Sequence, residues 1–333
     1  VSNLLRLSYS QIATFKRCRK KWYYRYVDRI VPKVDPKPII MGRYGHRLLE
    51  VLYRKFDGNN DANDIIEKAS QEYWEKKTAN LFSEELEEFK EVRQKVEKII
   101  KKYAELYESD FRRLDILGVE EEFEVRIRTP RGNRSMTSLY GILDLIIATD
   151  SGIWLMDHKL TKSKDMRFEH ALLDEQINMY TWALTEVLKQ KGIHVPIKGF
   201  VINALNSKLP RRPSINKNGS VSRRRIKTTK GIYQQAVIDA GKDPADYQDM
   251  LDKLGDWKPD FYDRQFSYRN PSELEQVGRE LYEVSKAIRE GRIYRTASPT
   301  QCSWDCSYKD LCTLEMKGGD VEHYKSMKFQ EKE

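Results

Sequence analysis

Thiols are scarce in this chain: four cysteines in 333 residues. So few, in a protein with no sign of export, point to metal binding more than to a disulfide framework. Long apolar runs are absent. No stretch approaches the roughly 18 residues that a membrane helix needs, so no membrane partner is expected. Residues 1–6 lack the basic start, apolar run and small-residue cleavage site of a secretory signal, and the expected location is cytoplasmic. No G-x-x-x-x-G-K-S/T phosphate loop occurs, so the sequence shows no nucleotide-driven motor. Acidic side chains are missing from one stretch altogether, residues 206–232.

What is present describes a folded protein. Hydrophobic residues make up 39% and aromatics 11%, enough for a core and too many for a disordered chain. The length suits one large domain or two small ones. The net charge is +9, and residues 206–232 hold nine basic side chains: Lys208, Arg211, Arg212, Lys217, Arg223, Arg224, Arg225, Lys227 and Lys230. Without those nine, the remaining 51 basic residues equal the 51 acidic ones, so the entire excess sits in this segment. Such a segment is an electrostatic footprint for a polyanion, or a solvated loop, and a mobile basic loop is compatible with both.

Hydrophobic spacing divides the chain. Residues 8–27 read as a helix, with Ser8 or Ser10 as cap and Ile12, Phe15, Trp22 and Tyr26 at helical intervals. Pro32, Pro36 and Pro38 mark an extended link. Helices are predicted over 41–56, 62–79 and 83–110, the last carrying Val92, Val96, Ile99, Ile100, Tyr103 and Leu106 as a packing stripe. The period then changes to two. Strands are predicted over 118–128, 139–148 and 153–157, a helix over 166–190 and a strand over 198–204. Further helices are expected over 243–255 and 272–291. The expected fold is α+β or α/β, a core sheet flanked by helices. The expected organisation is a helical region at 1–115, a core at 116–205, a basic insertion at 206–265 and a C-terminal helix and cysteine segment at 266–333.

The strongest chemical signal lies at 141–159. Asp144 interrupts an apolar strand, where an unpaired carboxylate would be costly. Asp157 closes the next strand, and Lys159, two residues on, projects from the same face. The turn at 150–152 makes the two strands a hairpin, which brings Asp144 beside Asp157. Two converging carboxylates repel unless a cation lies between them, and hard oxygen ligands suit Mg²⁺ or Mn²⁺. Asp-x-Lys alone is a weak signal, since surface pairs of this kind are common.

Taken together these residues resemble the RecB-like branch of the PD-(D/E)xK nucleases, a restriction-endonuclease-like fold. Gly42 to Glu50 is similar to that family's G-x-x-x-H-x-x-x-E helix, and the resemblance implies that His46 is a metal ligand. Gly141-x-x-Asp144 resembles its G-x-x-D motif, and Asp157-x-Lys159 its (D/E)-x-K motif of ligand and catalytic lysine. Gln176-x-x-x-Tyr180 resembles its Q-x-x-x-Y motif, whose two residues share a helix face and help hold nucleic acid and the lysine region. The family also implies a metal contact from the His158 carbonyl and, in some members, an acidic residue on the first core strand, here Glu122.

Cys302, Cys306 and Cys312 form C-x3-C-x5-C, with Cys18 far off on the first predicted helix. Three clustered thiols and one remote thiol suit a four-coordinate site closed across the fold. RecB-like nucleases with this distribution ligate a 4Fe–4S cluster; their first C-terminal spacing is usually two residues where this chain has three. A Cys₄ Zn²⁺ site is the alternative. Either would tie the two ends of the chain together.

The resemblance implies phosphodiester hydrolysis with a 5′-phosphate product. The expected activity is a metal-dependent DNA exonuclease of recombination, repair or replication, acting on single strands or free ends beside a separate helicase or recombinase. The helices of 41–113 would arch over the site, with aromatics such as Trp22, Tyr44 and Tyr53 either stacking on bases or packed in the core. Arg211, Arg212, Arg223, Arg224, Arg225 and Lys227 are the expected nucleic-acid contacts. A CRISPR-adaptation nuclease working with an integrase, and a non-catalytic DNA-end-binding protein, are the competing readings.

Overall fold

The structure is a computed structural model that describes residues 4–33, 35–78, 83–193 and 195–332. The chain opens with β1 (Leu5–Ser8) and α1 (Tyr9–Arg17), joined at a capping box in which Ser8 and Gln11 satisfy each other's amides. The helix expected over 8–27 is broken. Cys18 is extended (φ −158°, ψ 112°), and the chain restarts as α2 (Arg19–Trp22) and one π-helical turn (Tyr23–Val27).

After β2 (Ile30–Pro32), α3 (Lys37–Lys55) begins beside Pro36 and Pro38, where a missing amide proton costs nothing. Next come α4 (Ala62–Thr78), α5 (Ser83–Leu106) and α6 (Glu108–Arg113). The predicted stripe Val92, Val96, Ile99, Ile100 and Tyr103 is buried against Leu48, Leu49 and Leu52 of α3.

The sheet follows: β3 (Asp115–Arg128), β4 (Arg134–Thr149) and β5 (Gly152–Thr161), then α7 (Lys164–Glu169), α8 (Glu175–Gln190) and β6 (Ile197–Asn206). β3 runs antiparallel along one edge of β4. On β4's other edge, β1 pairs in parallel with residues 137–140, and β5 pairs antiparallel with residues 145–149. β5 and β6 are parallel, joined through α8.

Between β6 and the last strand lies a packed lobe, not an open loop. It holds α9 (Lys230–Asp239), α10 (Gln248–Leu251) and α11 (Trp257–Asp260), with a core of Val221, Tyr233, Val237, Tyr247 and Leu251. The chain re-enters the sheet as β7 (Tyr262–Tyr268), antiparallel to β6 and not anticipated from sequence. α12 (Pro271–Arg289), α13 (Pro299–Asp305), α14 (Lys309–Met316) and α15 (Val321–Lys328) lead to β8 (Phe329–Glu331), which pairs with β2.

The result is a mixed α/β fold with a helical layer on each face of a mixed sheet. α3 to α6 cover one face. Ile12 and Phe15 of α1, Trp182 of α8 and Leu281 of α12 cover the other. Trp22, Tyr44 and Tyr53 are buried in these cores, and Tyr24 in a separate cluster with Tyr308, Leu311 and Phe329, which leaves them no free ring face for bases. Among the described residues no helix is long and apolar enough to cross a membrane.

Candidate active site

Alternation along β5 sets the site. Trp154 and Met156 enter the core beneath α3 to α6; Ile153 and Leu155 enter the opposite one. Continued outward, this period sends Asp157 and Lys159 towards α8 and His158 towards α3. The contacts agree. Lys159 Nζ donates to Gln176 Oε1 at 2.8 Å and to Asp157 Oδ1 at 3.1 Å. The His158 ring stacks on Tyr53 of α3, centroids 5.3 Å apart and planes 17° from parallel.

His46 comes down from α3 onto the same end of the sheet. Its Nδ1 lies 3.4 Å from Asp144 Oδ2 and 3.7 Å from Glu120 Oε1. Gly45 lets the helix sit this close, because a Cβ there would meet the Leu160 side chain at 2.7 Å. Glu120 lies across from Asp144, between the pairs Val119–Leu145 and Glu121–Leu143. Its φ of 49° is in the left-handed region, a turn that aims its carboxylate at His46. Glu122, the acidic residue anticipated on this strand, is exposed on the outer surface, and Glu120 stands at the site instead.

Ligand atoms of His46, Glu120 and Asp144 all lie within 4.8 Å of one another. Asp157 stands next to this trio, paired with Lys159. Its Oδ2 is buried without a hydrogen bond: Lys159 Nζ is 2.8 Å away but off the direction a bond needs. A Mg²⁺-sized ion with ligands at about 2.1 Å puts neighbouring ligand atoms about 3 Å apart and opposite ones about 4 Å apart. The His46–Asp144 and His46–Glu120 distances match that spacing, and the orphaned Asp157 oxygen supplies a further donor, so the residues fit a divalent cation.

The electrostatics report the same crowding. Burial, then the Asp157 charge, pushes the Asp144 carboxyl up to about 7 despite His46 and the His158 amide. Burial draws the His46 imidazole down, but Asp144, Glu120 and Asp157 outweigh it and hold its pKa at about 9. Burial likewise opposes the Lys159 ammonium, and Asp157 and Asp144 more than restore it. His158 is pushed far below its ordinary value by burial and by the neighbouring His46 and Arg264 cations, and is neutral.

Asn203 and Arg264 went unread in the sequence and complete the support. Arg264 Nε donates to Asn203 Oδ1 at 3.1 Å, which turns Asn203 Nδ2 to His158 Nδ1 at 2.7 Å. His158 Nδ1 is therefore the acceptor and its proton resides on Nε2. Arg264 also reaches Tyr103 at 2.7 Å and pairs with Asp110. Asn203 had a readable signal, a lone amide in the apolar strand over 198–204.

On α8, Asp174 caps the helix by accepting from the amides of Gln176 and Ile177. Tyr180 meets Phe123 edge-on at 5.5 Å. A Cβ on Gly141 would come within 3.0 Å of the Phe123 ring and 3.1 Å of Tyr180 Oη, so the glycine makes room for both.

The two ends of the chain meet at the cysteines. Cys18 breaks its helix. Burial alone would raise its thiol, but the amides of Lys21, Thr296, Ala297 and Lys20 bring the pKa below the ordinary value. Burial raises Cys306, which also feels the charges of Cys302 and Cys18. Arg295 Nε lies 2.9 Å from Cys312 Sγ. No three of the four sulfurs fall within 4.8 Å of one another among the described residues.

The basic segment contributes both ion pairs and a cavity lining. Arg212 pairs with Asp239, and Arg223 with Asp249, both within the lobe. Arg211, Arg223, Arg225 and Lys227 line a cavity of about 870 Å³. Arg224 is exposed and outside that lining.

An acidic, lysine-bearing cation pocket at the end of paired strands defines a hydrolase-type centre on a mixed sheet. The sequence model of the PD-(D/E)XK nuclease superfamily matches residues 6–313, and the chain belongs to that superfamily. No curated protein matches it.

Proposed function

We propose that this chain is a divalent-metal-dependent DNA exonuclease of the RecB-like branch. The observation that carries the reading is the convergence of His46, Glu120, Asp144, Asp157 and Lys159 on one end of the sheet. His46, Glu120, Asp144 and Asp157 would hold Mg²⁺ or Mn²⁺. Such an ion supplies a water of lowered pKa and a Lewis acid for a phosphoryl oxygen. The remaining work falls to the chain. The Lys159 ammonium, fixed by Gln176 and Asp157, faces the negative charge that develops at phosphorus. Tyr180 and Gln176 bound the strand path on α8, and the buried His158 carries the peptide that positions Asp144.

The cysteines are read as ligands of a 4Fe–4S cluster that fastens the N-terminal turn to the C-terminal segment. Amide donors directed at Cys18 and the Arg295 contact to Cys312 support it, since hydrogen bonds to sulfur are typical of cluster thiolates. Four thiolates around one Zn²⁺ would all stand about 3.8 Å apart at about 2.3 Å from the ion, whereas no three of these sulfurs lie within 4.8 Å of one another among the described residues. DNA ends are the substrate, and a separate helicase or recombinase is the partner that would expose them.

The test is a digest of end-labelled single- and double-stranded DNA with Mg²⁺ or Mn²⁺, native protein against Lys159→Ala. Progressive shortening from an end by the native protein alone supports the reading. Equal digestion by both proteins, or none by either, refutes it.

A further inference from the structure

The lobe between β6 and β7 contains a built cavity of about 870 Å³, within the range of pockets that enclose a small ligand or a nucleotide-sized group. Its wall carries Lys164, Arg211, Arg223, Arg225, Lys227 and Lys253, together with Thr228. Among the described residues Arg211, Arg225, Lys227 and Lys253 have no carboxylate within 4 Å, unlike Arg212 and Arg223, whose charge is spent on Asp239 and Asp249. Asp165 and Asp260 are the acidic residues on the lining, fewer than the cations they face.

Two further observations point to an absent anion. Thr228 is 4% exposed, and its Oγ1 is buried without any hydrogen-bond partner, a cost that a ligand oxygen would remove once the hydroxyl turns towards the cavity it lines. Lys227 is held below ordinary lysine values chiefly by desolvation, with Asp165 and Asp260 working against the shift and Lys164 and Lys208 adding to it. Six cations therefore share this lining with two carboxylates.

The pocket also has a place in the fold. Asn206 pairs with Thr161, two residues beyond Lys159, so the lobe leaves the sheet about 7 Å along the strand from the Lys159 backbone. Lys164 on α7 follows directly and lines the cavity.

We propose that this cavity holds a backbone phosphate of the DNA strand lying beyond the scissile bond, with Arg225, Lys227 and the Thr228 hydroxyl as its direct partners. The inference rests on the nuclease reading and names how that site would grip its substrate. Of the six expected contacts, it assigns Arg211, Arg225 and Lys227 to the cavity and Arg212 to an ion pair with Asp239; Arg223 lines the cavity while paired with Asp249, and Arg224 lies outside the lining.

The experiment measures binding of a fluorescent single-stranded oligodeoxynucleotide of about 20 nucleotides in EDTA, from about 50 to about 200 mM salt. The Arg225→Gln/Lys227→Gln double variant is expected to weaken binding at least about tenfold, and to reduce the slope of log K against log salt by about 0.7 for each phosphate it no longer neutralises. Arg212→Gln should leave the slope unchanged. Thr228→Val should weaken binding about two- to tenfold while leaving thermal stability equal or higher, because it removes an unpaired buried hydroxyl. An unchanged slope in the double variant overturns the proposal, as does an equal loss in Arg212→Gln, which would mean a diffuse basic surface. A thermal shift with inorganic phosphate alone as large as with the oligonucleotide would make this a free-phosphate site, and also overturns it. In Mg²⁺, hydrolysis of thymidine 5′-(p-nitrophenyl phosphate) by the native protein tests the nuclease reading separately from the pocket. If the native protein hydrolyses neither this compound nor DNA, the nuclease reading falls, and the salt slopes still decide the pocket.

Discussion

The main-chain amide of His158 donates to Oδ2 of Asp144 at 2.9 Å. This bond crosses from β5 to β4 beyond their last paired residues, Leu145 and Met156, and it brings the two acidic strands to one point. It also occupies one lone pair of a carboxylate whose other neighbours are Asp157 and His46.

Asp144→Asn retains an acceptor for that amide and removes the charge. The metal-free protein should gain on the order of 1–3 kcal/mol, since a buried carboxylate beside another is relieved. Nuclease activity should fall by about a thousandfold or more. Chemical denaturation in EDTA and a single-turnover digest check the two halves. Loss of stability together with activity would mean that Asp144 is structural.

Gly45→Ala should cost about 1–3 kcal/mol, because the new methyl meets the Leu160 side chain and pushes α3, with His46, off the sheet. A Leu160→Ala background should recover part of that loss, a coupling of about 1 kcal/mol in a double-mutant cycle. Strict additivity would show that the close approach is not the cause.

How far these residues were legible follows from the backbone. Asp157 and Lys159 were readable because β5 keeps a strict period of two to its end. Glu120 was not: alternation from Phe123 places residues 120 and 122 together on the outer face, and only the left-handed turn at Glu120 separates them. β7 escaped because it places polar groups between its aromatics, and one of those, Arg264, is committed to a buried network under His158. Cys18 looked like one more helix residue, since the apolar intervals on either side survive its extended conformation.

Acid stability should depend on Glu97. Burial alone would raise its carboxyl, but the Ser70 hydroxyl, Arg93 at 2.9 Å and the Tyr44 hydroxyl at 3.2 Å hold its pKa below the ordinary value. A carboxylate depressed in the folded state stabilises it above the unfolded pKa of about 4.3, and that stability is lost as pH falls through the lower folded value. Glu97→Gln should therefore be less stable than native by about 1–2 kcal/mol at neutral pH, with the gap closing below about pH 4. Melting temperatures of both proteins across that range are the check; a constant gap would assign the loss to packing.

Cys18→Ser should remove the visible absorbance near about 400 nm expected of anaerobically purified native protein carrying an iron–sulfur cluster. The same variant should expose the segment over 294–312 to proteolysis, because the tie across the chain ends is gone. Undiminished absorbance would exclude Cys18 as a ligand.

His46, Glu120, Asp144 and Asp157 are placed to hold one divalent cation between them. Titration of Mn²⁺, followed by the disappearance of the free-ion paramagnetic resonance signal, tests it most directly. The native protein and Glu122→Gln should bind alike, while Glu120→Gln and Asp144→Asn should weaken binding by at least about tenfold. Equal binding by all four proteins, or a loss confined to Glu122→Gln, would contradict the account.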